Sequence, residues 1–398
     1  MHEKPPRTSL AKATVQELFA SADIRFQGRR PWDIRVNDKR FFQAVLTGGT
    51  VGFGESYMDG WWDCDALDEM CCRAIRAHLE ERVPLNLHTA IAMAGSFLFN
   101  LQTRRRSKAV GKRHYDVGND LFERMLDPSM QYSCAWFRDT DDLAQAQREK
   151  MDLICRKLGL REGMSLLDIG CGWGGLARHA AKHYGCRVVG ITISEEQGRY
   201  ATEFCRGLPV DIRLQDYREV RDRFDRIVSV GMLEHVGPKN YRPYMQTVFR
   251  SLEDGGVFLC QSIAGNYASV FPDPWVARYI FPHSILPSAA QVATAAEKLF
   301  VLEDVQNLGA DYEKTLKAWE ANFVRTWSRF EGRYGQRFFR MWRFYLLSCA
   351  GAFRARNLQL FQFLFSKGSA RYLPSRVQWL APERAAHASP RSRVSASV

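Results

Sequence analysis

Apolar positions along the middle of the chain fall into short runs separated by segments of helical spacing. The runs at 165–169, 187–191, 210–215, 224–231 and 256–262 read as strands. Between them, 175–184, 195–207 and 243–252 place apolar residues three and four apart and read as helices. This alternation predicts an α/β fold whose mainly parallel sheet is covered by helices. Helical spacing also covers 120–125 and 143–157.

Ahead of that unit the pattern is less regular. A short helix is expected at 14–20, strands with a hairpin at 35–46 around the Gly48-Gly49 pair, and helices at 67–79 and 85–98. Residues 11–100 therefore read as a smaller N-terminal α+β domain. Residues 101–113, with Arg104-Arg105-Arg106, Lys108, Lys112 and Arg113, read as a basic linker, and 114–381 as the main domain. The ends, 1–10 and 382–398, lack an apolar period and read as disordered tails. No stretch is apolar enough for a secretory signal or a bilayer span.

Composition changes the picture in two places. Of 398 residues 46% are hydrophobic and 25% charged, which permits a well-filled core. The net charge of +12 favours polyanions, either nucleic acid or an anionic membrane surface. The ten cysteines have no regular spacing, so a reduced cytoplasmic protein without a structural metal is expected.

The sharpest chemistry lies at 165–175. A strand ends in Asp168 and runs through Gly170, Gly172, Trp173, Gly174 and Gly175 into a helix. Glycine admits close backbone approach by a ligand. This turn resembles the first motif of class I methyltransferases, which implies S-adenosylmethionine as cofactor and a Rossmann-like sheet. Ligands bind at the carboxyl ends of such strands. The segments ending there carry Thr192 and Gln197, expected at the ribose, Asp216 and Tyr217, expected at the adenine, and the stretch 229–237, expected at the reacting end.

Wider matches make the resemblance specific. Residues 115–120, 130–135, 190–197, 230–237, 273–275 with 279–282, 309–312 and 349–356 are similar to the bacterial cyclopropane-fatty-acyl-phospholipid synthases. The resemblance implies methylene transfer from S-adenosylmethionine to a cis double bond of an unsaturated phospholipid, with Tyr132 and Ser133 among the cofactor contacts. Methyl transfer to an alkene leaves a carbocation that must lose a proton in a pocket free of water. The family holds bicarbonate there as base. Carried over by position, its cage is Cys134, Glu234, Tyr312, the backbone of Ile263, and Gln261 where the family commonly has histidine. Glutamine can donate to an anion but cannot act as an acid or base.

The proline-broken aromatic insertion at 264–300 suits an acyl-chain pocket or lid. The resemblance further implies a peripheral membrane protein on the inner membrane face and a homodimer, with no nucleic-acid partner. Failure to close the ring would give a methyl-branched chain instead. An RNA methyltransferase would suit the charge but lacks a matching catalytic signature.

Overall fold

The computed structural model describes residues 7–82, 118–269, 272–282 and 284–368. The expected helix at 85–98, the basic linker and the C-terminal tail at 382–398 lie outside these residues, as does most of the first tail.

The sheet of the main unit has seven strands: β3 (Ser165–Ile169), β4 (Arg187–Thr192), β5 (Val210–Leu214), β6 (Phe224–Val230), β7 (Leu252–Gly265), β8 (Val301–Asn307) and β9 (Leu358–Ser366). Their order is β5-β4-β3-β6-β7-β9-β8. The first five are parallel, as the alternation predicts. Strand β9 returns antiparallel to β7 and pairs antiparallel with β8 at the edge. The apolar stretch around 358–365 is thus a buried strand, with Leu360, Phe363, Leu364 and Phe365 in the core. Its near-continuous hydrophobicity follows from helices on both faces.

Helices Gly175–Tyr184, Glu195–Phe204 and Tyr241–Ser251 connect the parallel strands. Helix Leu143–Leu158 has Asp142 as N-cap, its side chain accepting from the Gln145 amide, and ends at Gly159 in the left-handed region. Helices Gly309–Thr326 and Glu331–Arg354 complete the main unit.

The N-terminal unit departs from the expected hairpin. Residues 40–58 (Arg40–Met58) are helical on both sides of a break at Gly49 (φ 56°, ψ −134°). Phe41, Phe42 and Val45 before the break and Tyr57 and Met58 after it are buried, so the Gly-Gly pair interrupts the backbone as its turn signal implies, but it joins helices where strands were expected. The strand pairing there is short: β1 (Arg35–Val36) lies against β2 (Trp62–Asp63), and a single parallel bridge joins Phe26 to Ile34.

This unit packs tightly on the main one. Helix Leu67–Arg76 approaches Gly351 so closely that a Cβ there would lie 2.5 Å from the Asp68 carbonyl. Arg354 donates to Asp68 at 2.5 Å, Glu69 at 2.9 Å and Glu313 at 2.8 Å. Helices Arg40–Met58 and Glu331–Arg354 hold the insertion: Trp275 is buried against Phe344 of the second (centroids 4.6 Å apart), and the Tyr279 hydroxyl donates to Glu55 of the first at 2.5 Å. The loop after that short helix, Pro274–Tyr279, then delivers Phe281 and Pro282 to the cavity described next.

Candidate active site

A cavity opens at the carboxyl ends of the parallel strands. Ten of the eleven residues expected at the cofactor line it: Tyr132, Ser133, Asp168, Gly170, Gly172, Trp173, Thr192, Gln197, Asp216 and Tyr217. Gly174 lies behind the turn, where a Cβ would meet Ala201 and Cys205 at 3.0 and 3.1 Å. It lets helix Gly175–Tyr184 start against helix Glu195–Phe204. Gly170, Gly172 and Gly174 all have positive φ, and nothing stands within 4 Å of a Cβ built at Gly172. That bare face is open to a ligand.

Asp168, one residue before the end of β3, is 2% exposed, with Oδ2 lacking a hydrogen-bond partner. Burial pushes its carboxyl up to about 7, while the Lys150 ammonium pulls the other way. Thr192 and Gln197 meet directly, the threonine hydroxyl 3.2 Å from Gln197 Oε1. Asp216 is held by the Arg218 amide and guanidinium at 3.0 and 2.9 Å. An orphaned carboxylate oxygen, a bare glycine face and polar groups on three strand ends suit a nucleoside carrying a cationic amino-acid end. The residues present therefore fit S-adenosylmethionine. Among the described residues no group of three or more His, Cys, Asp or Glu could hold a metal ion.

The strip 130–133 also lines the cavity. Asp127 accepts from the Ser129 and Gln131 amides at 2.8 and 2.9 Å. Gln147 donates to the Ser133 carbonyl at 2.8 Å. Lys150, fully buried, donates to Gln131 Oε1 at 2.6 Å and Ser133 Oγ at 2.9 Å. None of this support was anticipated from the sequence. The available signal was a lysine on the same helical stripe as Leu143, Ala146, Leu153 and Ile154.

The residues expected around the anion lie outside the cavity's lining. Glu234, in the turn after β6, is 5% exposed and accepts from the Ile263 amide at 2.7 Å. Its Oε2 has no partner, and burial pushes the carboxyl up to about 7. Tyr312 is buried within electrostatic reach of Cys134, Tyr132 and Glu234, and desolvation raises its hydroxyl. Cys134 is fully buried, and desolvation raises its pKa well above the usual thiol range. It is a thiol, directed at the Ala135 carbonyl 3.1 Å away. Gln261 on β7 is 1% exposed, and its Oε1 accepts from Gln362 Nε2 at 2.9 Å, its register partner on β9. A partner from the antiparallel return was invisible in the sequence. Next to Glu234, His235 lines the cavity beside Phe281, 5.8 Å between centroids, and burial pushes it down to about 4. It is neutral.

Residues 102–363 match the family model of mycolic acid cyclopropane synthetase. The chain is 53% identical over 354 residues to the cyclopropane-fatty-acyl-phospholipid synthase of Escherichia coli, covering 89% of this chain and 93% of that protein. It is 33% identical to the tuberculostearic acid methyltransferase of Mycobacterium tuberculosis, covering 79% and 78% of the two. Among solved structures, a cyclopropane synthase from Mycobacterium tuberculosis superposes with a TM-score of 0.62 at 31% identity, over 65% of this chain and 98% of that one. A mycolic acid cyclopropane synthase complexed with SAH and CTAB gives 0.61 at 32% identity, over 65% and 98%. The fold, the glycine turn and these likenesses agree, and the chain belongs to the cyclopropane synthase family of S-adenosylmethionine-dependent methyltransferases.

Proposed function

We propose that the protein forms a cyclopropane ring across the cis double bond of an unsaturated phospholipid acyl chain, using S-adenosylmethionine. The observation that carries this reading is the buried Glu234, bonded to the Ile263 amide with its second oxygen unpartnered, beside the cofactor cavity. Ring closure requires the transferred carbon to lose a proton, and a buried acceptor beside the cavity is where the base for that step would be held. S-adenosylmethionine, when bound, supplies an electrophilic methyl carbon.

The chain's own residues then meet three demands. Water must stay out, and the insertion does this with Phe281 and Pro282 over the cavity. Positive charge must be tolerated on the acyl chain, and the ring faces of Tyr132, Trp173 and Phe281 suit it. A proton must leave, and we assign its base to a bicarbonate held between the free Glu234 oxygen, the Tyr312 hydroxyl and the Gln261 amide, with the Ile263 amide and the Cys134 thiol, now directed at Glu234 and the Ala135 carbonyl, turning to it on binding. In this reading Glu234 orients the base through a shared proton.

The net charge of +12 supports attraction to an anionic membrane surface. No described helix is long and apolar enough to cross a membrane. We place the enzyme at the cytoplasmic face of the inner membrane, bound peripherally as a homodimer, with 11–100 as the lipid-facing and dimerising unit.

The test is to incubate the protein with unsaturated phospholipid vesicles and labelled S-adenosylmethionine. Acyl chains heavier by CH2 support ring formation. Chains heavier by CH4 indicate methyl branching with reduction, a path that Gln261 alone does not choose. Unlabelled lipid with intact cofactor binding refutes both.

A further inference from the structure

A fully buried lysine is expensive unless its charge is used. The chain has two on one helix. Lys157 faces a carboxylate, Asp304, at 3.4 Å. Lys150 differs, because its ammonium donates to neutral oxygens, Gln131 Oε1 and Ser133 Oγ, both on residues lining the cofactor cavity. A methionine would fill the same space without the desolvation cost.

Those bonds have a directional consequence. A hydroxyl that accepts from an ammonium cannot accept from it and donate to it at once. Ser133 Oγ therefore keeps its own proton for another partner, and the ammonium strengthens it as a donor. The Gln131 oxygen is likewise taken by Lys150, so its NH2 is left to donate, and it reaches the Ser129 carbonyl at 3.3 Å. This side of the cavity presents donors and positive potential. The same cavity is lined by Asp168, whose Oδ2 is unpartnered. The ammonium also acts on Asp168, opposing the burial that raises that carboxyl.

We propose that Lys150 is a positioning residue that makes the cavity selective for a zwitterionic amino-acid end, turning the Ser133 hydroxyl toward a carboxylate. Asp127 balances the ammonium electrostatically and locks the strip through the Ser129 and Gln131 amides. Burial pushes Lys150 down to about 8, so it carries its charge at neutral pH. The proposal rests on the cofactor reading above.

Two nucleosides separate the two ideas. S-adenosylhomocysteine has the amino-acid end, and 5′-methylthioadenosine lacks it. Affinities for both are measured by calorimetry on the full chain, with melting curves recorded alongside. Lys150→Met and Ser133→Ala are expected to weaken S-adenosylhomocysteine about 10- to 100-fold, the range for a hydrogen bond to a charged group, and to leave methylthioadenosine within about 2-fold. An unchanged ratio of the two affinities in Lys150→Met overturns the proposal. If that variant does not fold, Ser133→Ala decides on the same ratio. Wild-type protein that binds neither nucleoside overturns the cofactor reading, and the role of Lys150 with it.

Discussion

Replacing Glu234 by glutamine sets stability against function at one atom pair. The substitution keeps an oxygen to accept from the Ile263 amide, 2.7 Å away in the native protein. It puts an NH2 in place of the unpartnered Oε2. Burial raises the native carboxyl from 4.5 to about 7. At about 1.4 kcal/mol per unit, the ionised glutamate costs the folded state on the order of 3 kcal/mol at alkaline pH. A raised carboxyl pKa means that the folded state binds more protons than the unfolded one between 4.5 and 7. The penalty is therefore absent below pH 4.5, grows as pH rises, and is complete above 7. Glutamine does not titrate, so the stability difference between variant and wild type should move by about 2 to 3 kcal/mol in favour of the variant between pH 5 and pH 8. The unpaired NH2 offsets a constant ~1–3 kcal/mol without changing that slope. Urea unfolding of both proteins across this range measures it, at equal m-values. A difference that stays flat with pH would show that Glu234 is not a desolvated carboxylate in the folded protein. In the vesicle assay the same variant should lose about 10²- to 10⁴-fold in turnover, the range for removing a general acid–base group.

Gly172→Ala should fold, since no atom lies within 4 Å of its new methyl, at a cost of about 1–2 kcal/mol for the left-handed backbone. Its affinity for S-adenosylhomocysteine by calorimetry should fall more than about tenfold if that face meets the cofactor. Gly351→Ala meets the Asp68 carbonyl at 2.5 Å and should lose ~1–3 kcal/mol in urea unfolding. Wild-type stability in that variant would mean the helix Leu67–Arg76 is not seated there. Gln261→His places a titratable ring where Gln362 now donates, and it should lower the bicarbonate needed for half-maximal turnover in a depleted reaction. If neither protein responds to bicarbonate, the assignment of the base is wrong.

Much of the main unit was legible along the chain, because its information is local. Parallel strands buried on both faces write themselves as apolar runs, and the turn from Asp168 to Gly174 needs glycine for backbone reasons that any sequence displays. The order of strands and helices and the class of cofactor followed from those features. The family then supplied Cys134, Glu234, Gln261, Ile263 and Tyr312 as candidates.

Tertiary structure decided what depends on distant partners. Gly48-Gly49 reads as a hairpin turn in isolation, but burial of Phe41, Phe42 and Val45 on one side and of Tyr57 and Met58 on the other makes it the break between two helical segments. Gly174 looks like a cofactor glycine and serves helix packing. Gln261 is a lone polar residue in its strand until β9 returns antiparallel and sets Gln362 beside it. Lys150 looks like one more charge on a helix until the fold closes around it and leaves its ammonium only the oxygens of the cavity wall. Period and turn chemistry act between neighbours in sequence. Desolvation and hydrogen-bond partnership act between neighbours in space, and those gave Asp168, Glu234 and Lys150 their character.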